Sequence, residues 1–178
     1  MIDLKDIARC TIILAAIGAV SGGSIAATRN LTGPIVEARA REKLSHSLSF
    51  AIPHADSYSE KTLPNGTPYY VAEVAGEVVG YIIQTTRSGY NPGLTLLTGL
   101  DPQGTILNVQ VLSHEETPSI GGSKVINNLN FFAQFLGKGP TFAPEEIHTV
   151  SQATISSQGV RNAVVAALDI YSKIVAER

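Results

Sequence analysis

Three clusters in this 178-residue chain have the residue types and spacing for chemistry. The first is Ser151-Gln152-Ala153-Thr154-Ile155-Ser156-Ser157, small and hydroxyl side chains running into an apolar stripe of helical spacing. The first N–H groups of a helix lack internal partners and carry partial positive charge. A phosphate is stabilised there without any Lys or Arg. Thr154 lies a few residues before the expected helix start, and its hydroxyl is the right kind of group for a phosphate ester. The same run also fits plain N-capping by Ser156 or Ser157. Spacing alone favours capping, because Ser/Thr runs before helices are common.

The second cluster is His114-Glu115-Glu116-Thr117-Pro118-Ser119-Ile120-Gly121-Gly122, polar groups with a Gly pair ahead of an expected helix. Exposed backbone N–H groups at such a junction suit an anion. The alternative is a helix-entry loop with Ser123 as the cap. The third cluster is Ser88-Gly89-Tyr90-Asn91-Pro92-Gly93. Its glycines, proline and asparagine make a tight loop where backbone can approach a ligand, although taken alone it is a turn.

The elements that must position these clusters follow from periodicity. Cys10 to Thr28 is an uncharged run of about 19 residues, close to the ~20 that span a bilayer. Gly18, Gly22 and Ala26 form one row of small residues, and Ala15, Ala19, Gly23 and Ala27 form another, so a partner helix can approach closely in lipid. Ser24-Ile25-Ala26 also fits a signal-peptide cleavage site. Lys5 and Arg9 precede the span and Arg29, Arg39, Arg41 and Lys43 follow it, so positive charge does not orient it. Pro34 to about Phe50 is expected to be a separate linking helix that starts at the proline, and Pro53 to Gly66 a loop. Strands are expected at Tyr69–Val74, Glu77–Thr86, Leu94–Leu100 and Thr105–Leu112, an antiparallel meander with turns at Ala75-Gly76 and Asp101–Gly104. A helix is expected over Lys124–Phe135. A last one runs from about Gln158 to Val175, with Val160, Val164, Ala167, Leu168, Tyr171 and Val175 on one face.

Composition narrows the function classes. A net charge of -2 offers no basic face for nucleic acid. One cysteine, Cys10, excludes an internal disulfide. The four histidines, His46, His54, His114 and His148, are scattered, so no metal site is assigned and zinc, haem and iron–sulfur ligation lack support.

Taken together, the three clusters and their order resemble the FMN-binding domain family. The similarity is to the G subunit of the Rnf electron-transport complex and to the related C subunit of the sodium-translocating NADH:quinone oxidoreductase. The short length favours the Rnf type. The resemblance implies an α+β protein with an N-terminal transmembrane anchor at 1–30, a linking helix and loop at 31–66, and an FMN-binding domain at 67–178. It implies FMN joined through its phosphate to Thr154 by a flavin transferase acting on FAD. Gly89, Tyr90, His114, Glu116, Thr117 and Pro118 would lie beside the flavin, with Ser151, Ala153, Ser156 and Ser157 at the attachment point. Ser156, Ser157 and the helix start are expected to hold the phosphate. No residue would act as acid, base or nucleophile in turnover. The implied role is electron transfer in a membrane complex that couples ferredoxin:NAD oxidoreduction to ion movement. The other subunits would be the partners, with this domain on the extracytoplasmic side of the inner membrane. The alternatives are a flavin-free scaffold subunit and a secreted flavin shuttle released after Ala26. The chain departs from the family pattern at Gln152, where glycine is usual, at His148, where aspartate is usual, and at Ser119-Ile120, where Gly-Leu is usual.

Overall fold

The structure, a computed structural model, describes residues 4–64, 66–116 and 122–176. Its contacts divide it into two units, Met1–Lys43 and Leu44–Arg178.

The first unit is helical throughout its described residues. Helix α1 spans Leu4–Ala51, and its last turns belong to the second unit. It is long and apolar enough to cross a membrane, with a mean hydropathy of 1.9 in its most apolar window. The expected break at Pro34 is absent, and the proline lies inside one continuous helix. An interior proline removes a single backbone hydrogen bond, and long apolar helices tolerate this by local adjustment. The hydroxyls of Thr11, Ser24, Thr28 and Thr32 each donate to the carbonyl four residues back, at 2.9, 2.8, 2.9 and 2.8 Å. Such bonds hide a polar side chain within its own helix.

The second unit is a five-stranded antiparallel sheet in the order β1-β2-β3-β4-β5. The strands are β1 (Ser57–Thr62), β2 (Pro68–Val74), β3 (Glu77–Arg87), β4 (Leu94–Leu100) and β5 (Ile106–Ser113). The four expected strands and both turns are present. Ala75 and Gly76, at φ 50° and 86°, make the tight hairpin between β2 and β3. The expected loop at 53–66 is overturned, because β1 lies within it and pairs from Ser57↔Glu73 to Thr62↔Pro68. Its sequence, SYSEKT, has no apolar alternation, as suits a charged edge strand that repels further pairing.

Alternation sorts the strands onto two faces. Val71, Tyr81, Ile83, Leu94, Leu96 and Val109 pack against helix α4 (Thr154–Ala176) and the phenylalanines Phe131 and Phe135. Tyr70, Ala72, Ile82 and Leu97 pack against Leu48, Ala51 and Ile52. Every residue of β4 is therefore buried, as in a strand covered on both sides. Gly99 and Gly80 lie under Ala51 and Ile52. A Cβ on Gly99 would come within 2.6 Å of the Ala51 carbonyl oxygen, so the helix end sits directly on backbone.

The helix expected over 124–135 is two short ones, α2 (Gly122–Ile126) and α3 (Leu129–Ala133). Asparagine side chains compete for backbone groups and end helices. Asn127 Nδ2 donates to Ser123 O, and Asn128 caps α3 by accepting from Phe131 N at 3.1 Å. Ser123 is the second residue of α2, not its cap. Helix α4 starts at Thr154, a turn earlier than expected. Its buried face is as expected except that Ile174 is buried in place of Val175, which is 48% exposed.

Candidate functional site

The segment before α4 is held by side chains that grip its backbone. Ile147 is buried in the core. The Gln134 amide closes on His148 from both sides: Oε1 accepts from His148 N at 2.8 Å, and Nε2 donates to His148 O at 3.2 Å. Ser157 Oγ accepts from Val150 N at 3.0 Å and donates to Ala153 O at 2.9 Å. Ala153 is buried, and its N–H closes a turn onto Val150 O. The side chains left on the surface include His148, Ser151, Gln152, Thr154 and Ile155. Thr154 is the first residue of α4, so its hydroxyl stands where helix N–H groups lack internal partners.

At Gln152 the backbone takes an unusual conformation. Its φ is 65°, in the left-handed region where a side chain is uncommon and glycine is comfortable. Its Oε1 accepts from Lys124 Nζ at 2.6 Å, a contact that ties α2 to this segment.

The other two clusters meet at one carboxylate. Glu116 is 5% exposed although it follows a strand in a loop. Its Oε1 accepts from Tyr90 N at 2.9 Å and from Asn91 N at 3.4 Å. Its Oε2 accepts from Ser156 Oγ at 3.1 Å. A buried charge is tolerated only with such partners. Asn91 Nδ2 adds a bond to Glu115 O at 2.7 Å, and Gly89 N bonds to Asn91 O. Three glycines make room for the knot. A Cβ on Gly89 would collide with Glu116 Oε1, and one on Gly122 with Glu116 Oε2. A Cβ on Gly159 would lie 2.6 Å from Ser88 O and 2.9 Å from Gly89 Cα, so the loop rests directly on α4.

The structure thus gathers Gly89, Tyr90, Glu116, Ser156 and the start of α4 at one place. Gly89 is buried, while Tyr90 is 64% exposed above it. His114 is exposed two residues before Glu116. Thr117 and Pro118 lie outside the described residues. Ser156 and Ser157 are buried inside α4 and so do not cap it, and their hydroxyls are already committed. Sequence reasoning missed Gln134, Lys124 and Gly159. Only Gly159 gave a signal, as a glycine within an otherwise helical run.

The sheet is thus backed by a helix whose first residue is an exposed threonine, with the 88–91 loop and the Glu116 carboxylate against its first turns. The FMN-binding domain family matches residues 89–169, the span that holds the three clusters apart from Ser88. The G subunit of an ion-translocating oxidoreductase complex from Methanosarcina acetivorans is 28% identical, over 97% of this chain and 98% of its own. The G subunits of the same name from Vibrio atlanticus and Vibrio cholerae are 30% and 31% identical, each over 78% of this chain and 72% of theirs. The crystal structure of Shewanella oneidensis NqrC aligns with a TM-score of 0.48 at 17% identity, over 66% of this chain and 67% of that one. The chain belongs to the G-subunit family of ion-translocating oxidoreductase complexes, the Rnf type.

Proposed function

We propose that this chain transfers electrons within an ion-translocating oxidoreductase complex through FMN joined by its phosphate to Thr154. The complex membership and the FMN-binding domain rest on the family. The observation that carries the attachment is the exposed Thr154 at the first position of α4, presented by a segment whose backbone is tied down. These residues fit the group. The start of α4 supplies N–H groups for a phosphate, and the exposed Tyr90 and Ile155 offer apolar surface to a flat ring.

In this reading FMN, when bound, supplies reversible uptake and release of electrons. The chain supplies position. Gly89, Tyr90 and His114 would flank the ring, and the family resemblance adds Thr117 and Pro118 to them. Ser151 and Ala153 shape the approach to Thr154. Ser156, Ser157 and Glu116 hold the supporting frame, and the phosphate is held by backbone N–H groups in place of the serine hydroxyls. Thr154 acts as a nucleophile once. Its Oγ1 would carry the FMN phosphate as an ester, made by a flavin transferase from FAD with AMP as the group displaced. Helix α1 associates the chain with a membrane. We place residues 1–30 as the anchor, 31–66 as the connection and 67–178 as the flavin domain, on the extracytoplasmic side, with the other complex subunits as partners.

The test is direct. Co-expressed with a flavin transferase and then denatured, the polypeptide should carry flavin fluorescence and the mass of one FMN less one water. Thr154→Ala should lose both. A colourless wild-type chain under these conditions would sink the covalent reading.

A further inference from the structure

We infer that Glu116 is a positioning residue that acts through Tyr90. By its reach more than by its charge, it holds the 89–91 loop against the first turns of α4, so that the Tyr90 ring stands beside whatever Thr154 carries. The inference rests on the reading of Thr154 as the FMN site for its last clause only.

The geometry sets the argument. Three donors from two separate elements converge on one carboxylate, two of them backbone N–H groups of Tyr90 and Asn91 and the third the buried Ser156 hydroxyl. The carboxylate lies between the loop and the helix and does not face solvent. Tyr90 is bound at its backbone yet exposed at its ring, which is the arrangement of a side chain held out for contact. The loop is pressed onto the helix that starts at Thr154, since a Cβ on Gly89 would lie 3.5 Å from Ser156 Cα. Glycines at 89 and 122 leave the carboxylate no slack on either side. One methylene less in residue 116 therefore cannot span from Ser156 to the Tyr90 amide. A neutral side chain of the same length can: its carbonyl oxygen accepts from Tyr90 N and its amide donates to Ser156 Oγ.

The experiment uses the full chain, flavinylated by co-expression with a flavin transferase, and compares Glu116→Asp with Glu116→Gln. Glu116→Asp keeps the charge and loses the reach, and Glu116→Gln does the reverse. In Glu116→Asp, amide exchange at Tyr90 and Asn91 should accelerate about tenfold relative to β4 amides, as loss of a buried bond implies. The flavin fluorescence of its native protein should rise toward that of Tyr90→Ala, because a phenol in contact with a flavin quenches its emission. Its polypeptide mass should still show the attached flavin. Glu116→Gln should stay within about threefold of wild type in exchange and close to it in fluorescence. The opposite order, with the Gln variant loosened and the Asp variant unchanged, would overturn the inference in favour of a role for charge. Unchanged fluorescence in Tyr90→Ala would overturn it too. Should Glu116→Asp fail to fold, Ser156→Ala removes one anchor of the same knot, and unchanged exchange at Tyr90 and Asn91 would then count against it. A wild-type chain without flavin defeats the attachment reading alone, since the exchange measurement still decides what Glu116 does.

Discussion

The two sides of the site are built on opposite plans. The segment that leads into Thr154, residues 148–153, is fixed by several modest bonds: Gln134 to both backbone groups of His148, Ser157 to Val150, and Ala153 to Val150. The 89–91 loop is joined to α4 through one buried carboxylate that gathers three donors, beside a bond from Asn91 Nδ2 to Glu115 O. Distributed ties lose little when one is cut. A single buried side chain concentrates the junction in one residue, because truncating it strands every donor it served. The side that presents the exposed Thr154 hydroxyl is thus the more tolerant one, and the side that faces it is the more brittle.

Four substitutions would break or sharpen this contrast. The largest effect is expected at the exposed hydroxyl itself. Thr154→Ala should abolish covalent flavin while leaving stability within about 0.5 kcal/mol of wild type, as is usual for an exposed position. Intact mass and chemical denaturation together check this, and a large loss of stability would show that Thr154 is structural. Next comes the brittle side. Gly122→Ala drives a methyl into Glu116 and should cost about 3 kcal/mol, read as a lower denaturation midpoint at unchanged slope. A cost below about 1 kcal/mol would show that the knot has room to relax. On the tolerant side, Gln134→Ala removes both bonds to His148 and should cost only about 1–2 kcal/mol, with slower flavin attachment in a time course by mass. A cost equal to that of Gly122→Ala would erase the contrast. The smallest effect should be a gain. Gln152→Gly relieves a side chain at φ 65° and should stabilise by about 0.5 kcal/mol, net of the added chain entropy and the lost Lys124 contact. A measured destabilisation would show that the Lys124 contact outweighs the backbone strain.

The framework was more legible than the joints. β2 to β5 announced themselves because their apolar residues alternate and their turns carry Ala-Gly and Asp-Pro-Gln-Gly. β1 did not, because an exposed edge strand needs no apolar face. The start of α4 was placed late because its apolar stripe begins at Val160, whereas its first turn is hydroxyl-rich and satisfied by tertiary partners. Thr154 came from local chemistry combined with family resemblance. The role of Glu116 came from neither: a glutamate after a strand looks like a solvated charge until Tyr90, Asn91 and Ser156 are brought to it from 26, 25 and 40 residues away. The left-handed backbone at Gln152 was hinted at only by the family resemblance, which expects glycine at that place.

Four of the hydroxyls of α1 bear on how such a protein is made. Thr11, Ser24, Thr28 and Thr32 bring their own acceptors with them, each bonded to a carbonyl of the same helix. A polar side chain that must wait for a partner helix is costly in lipid until the partner arrives. One that is satisfied from the start imposes no such wait. Insertion and assembly can then be separate events, the first needing only this chain and the second left to the small residues at Gly18, Gly22 and Gly23, where the helix surface is open.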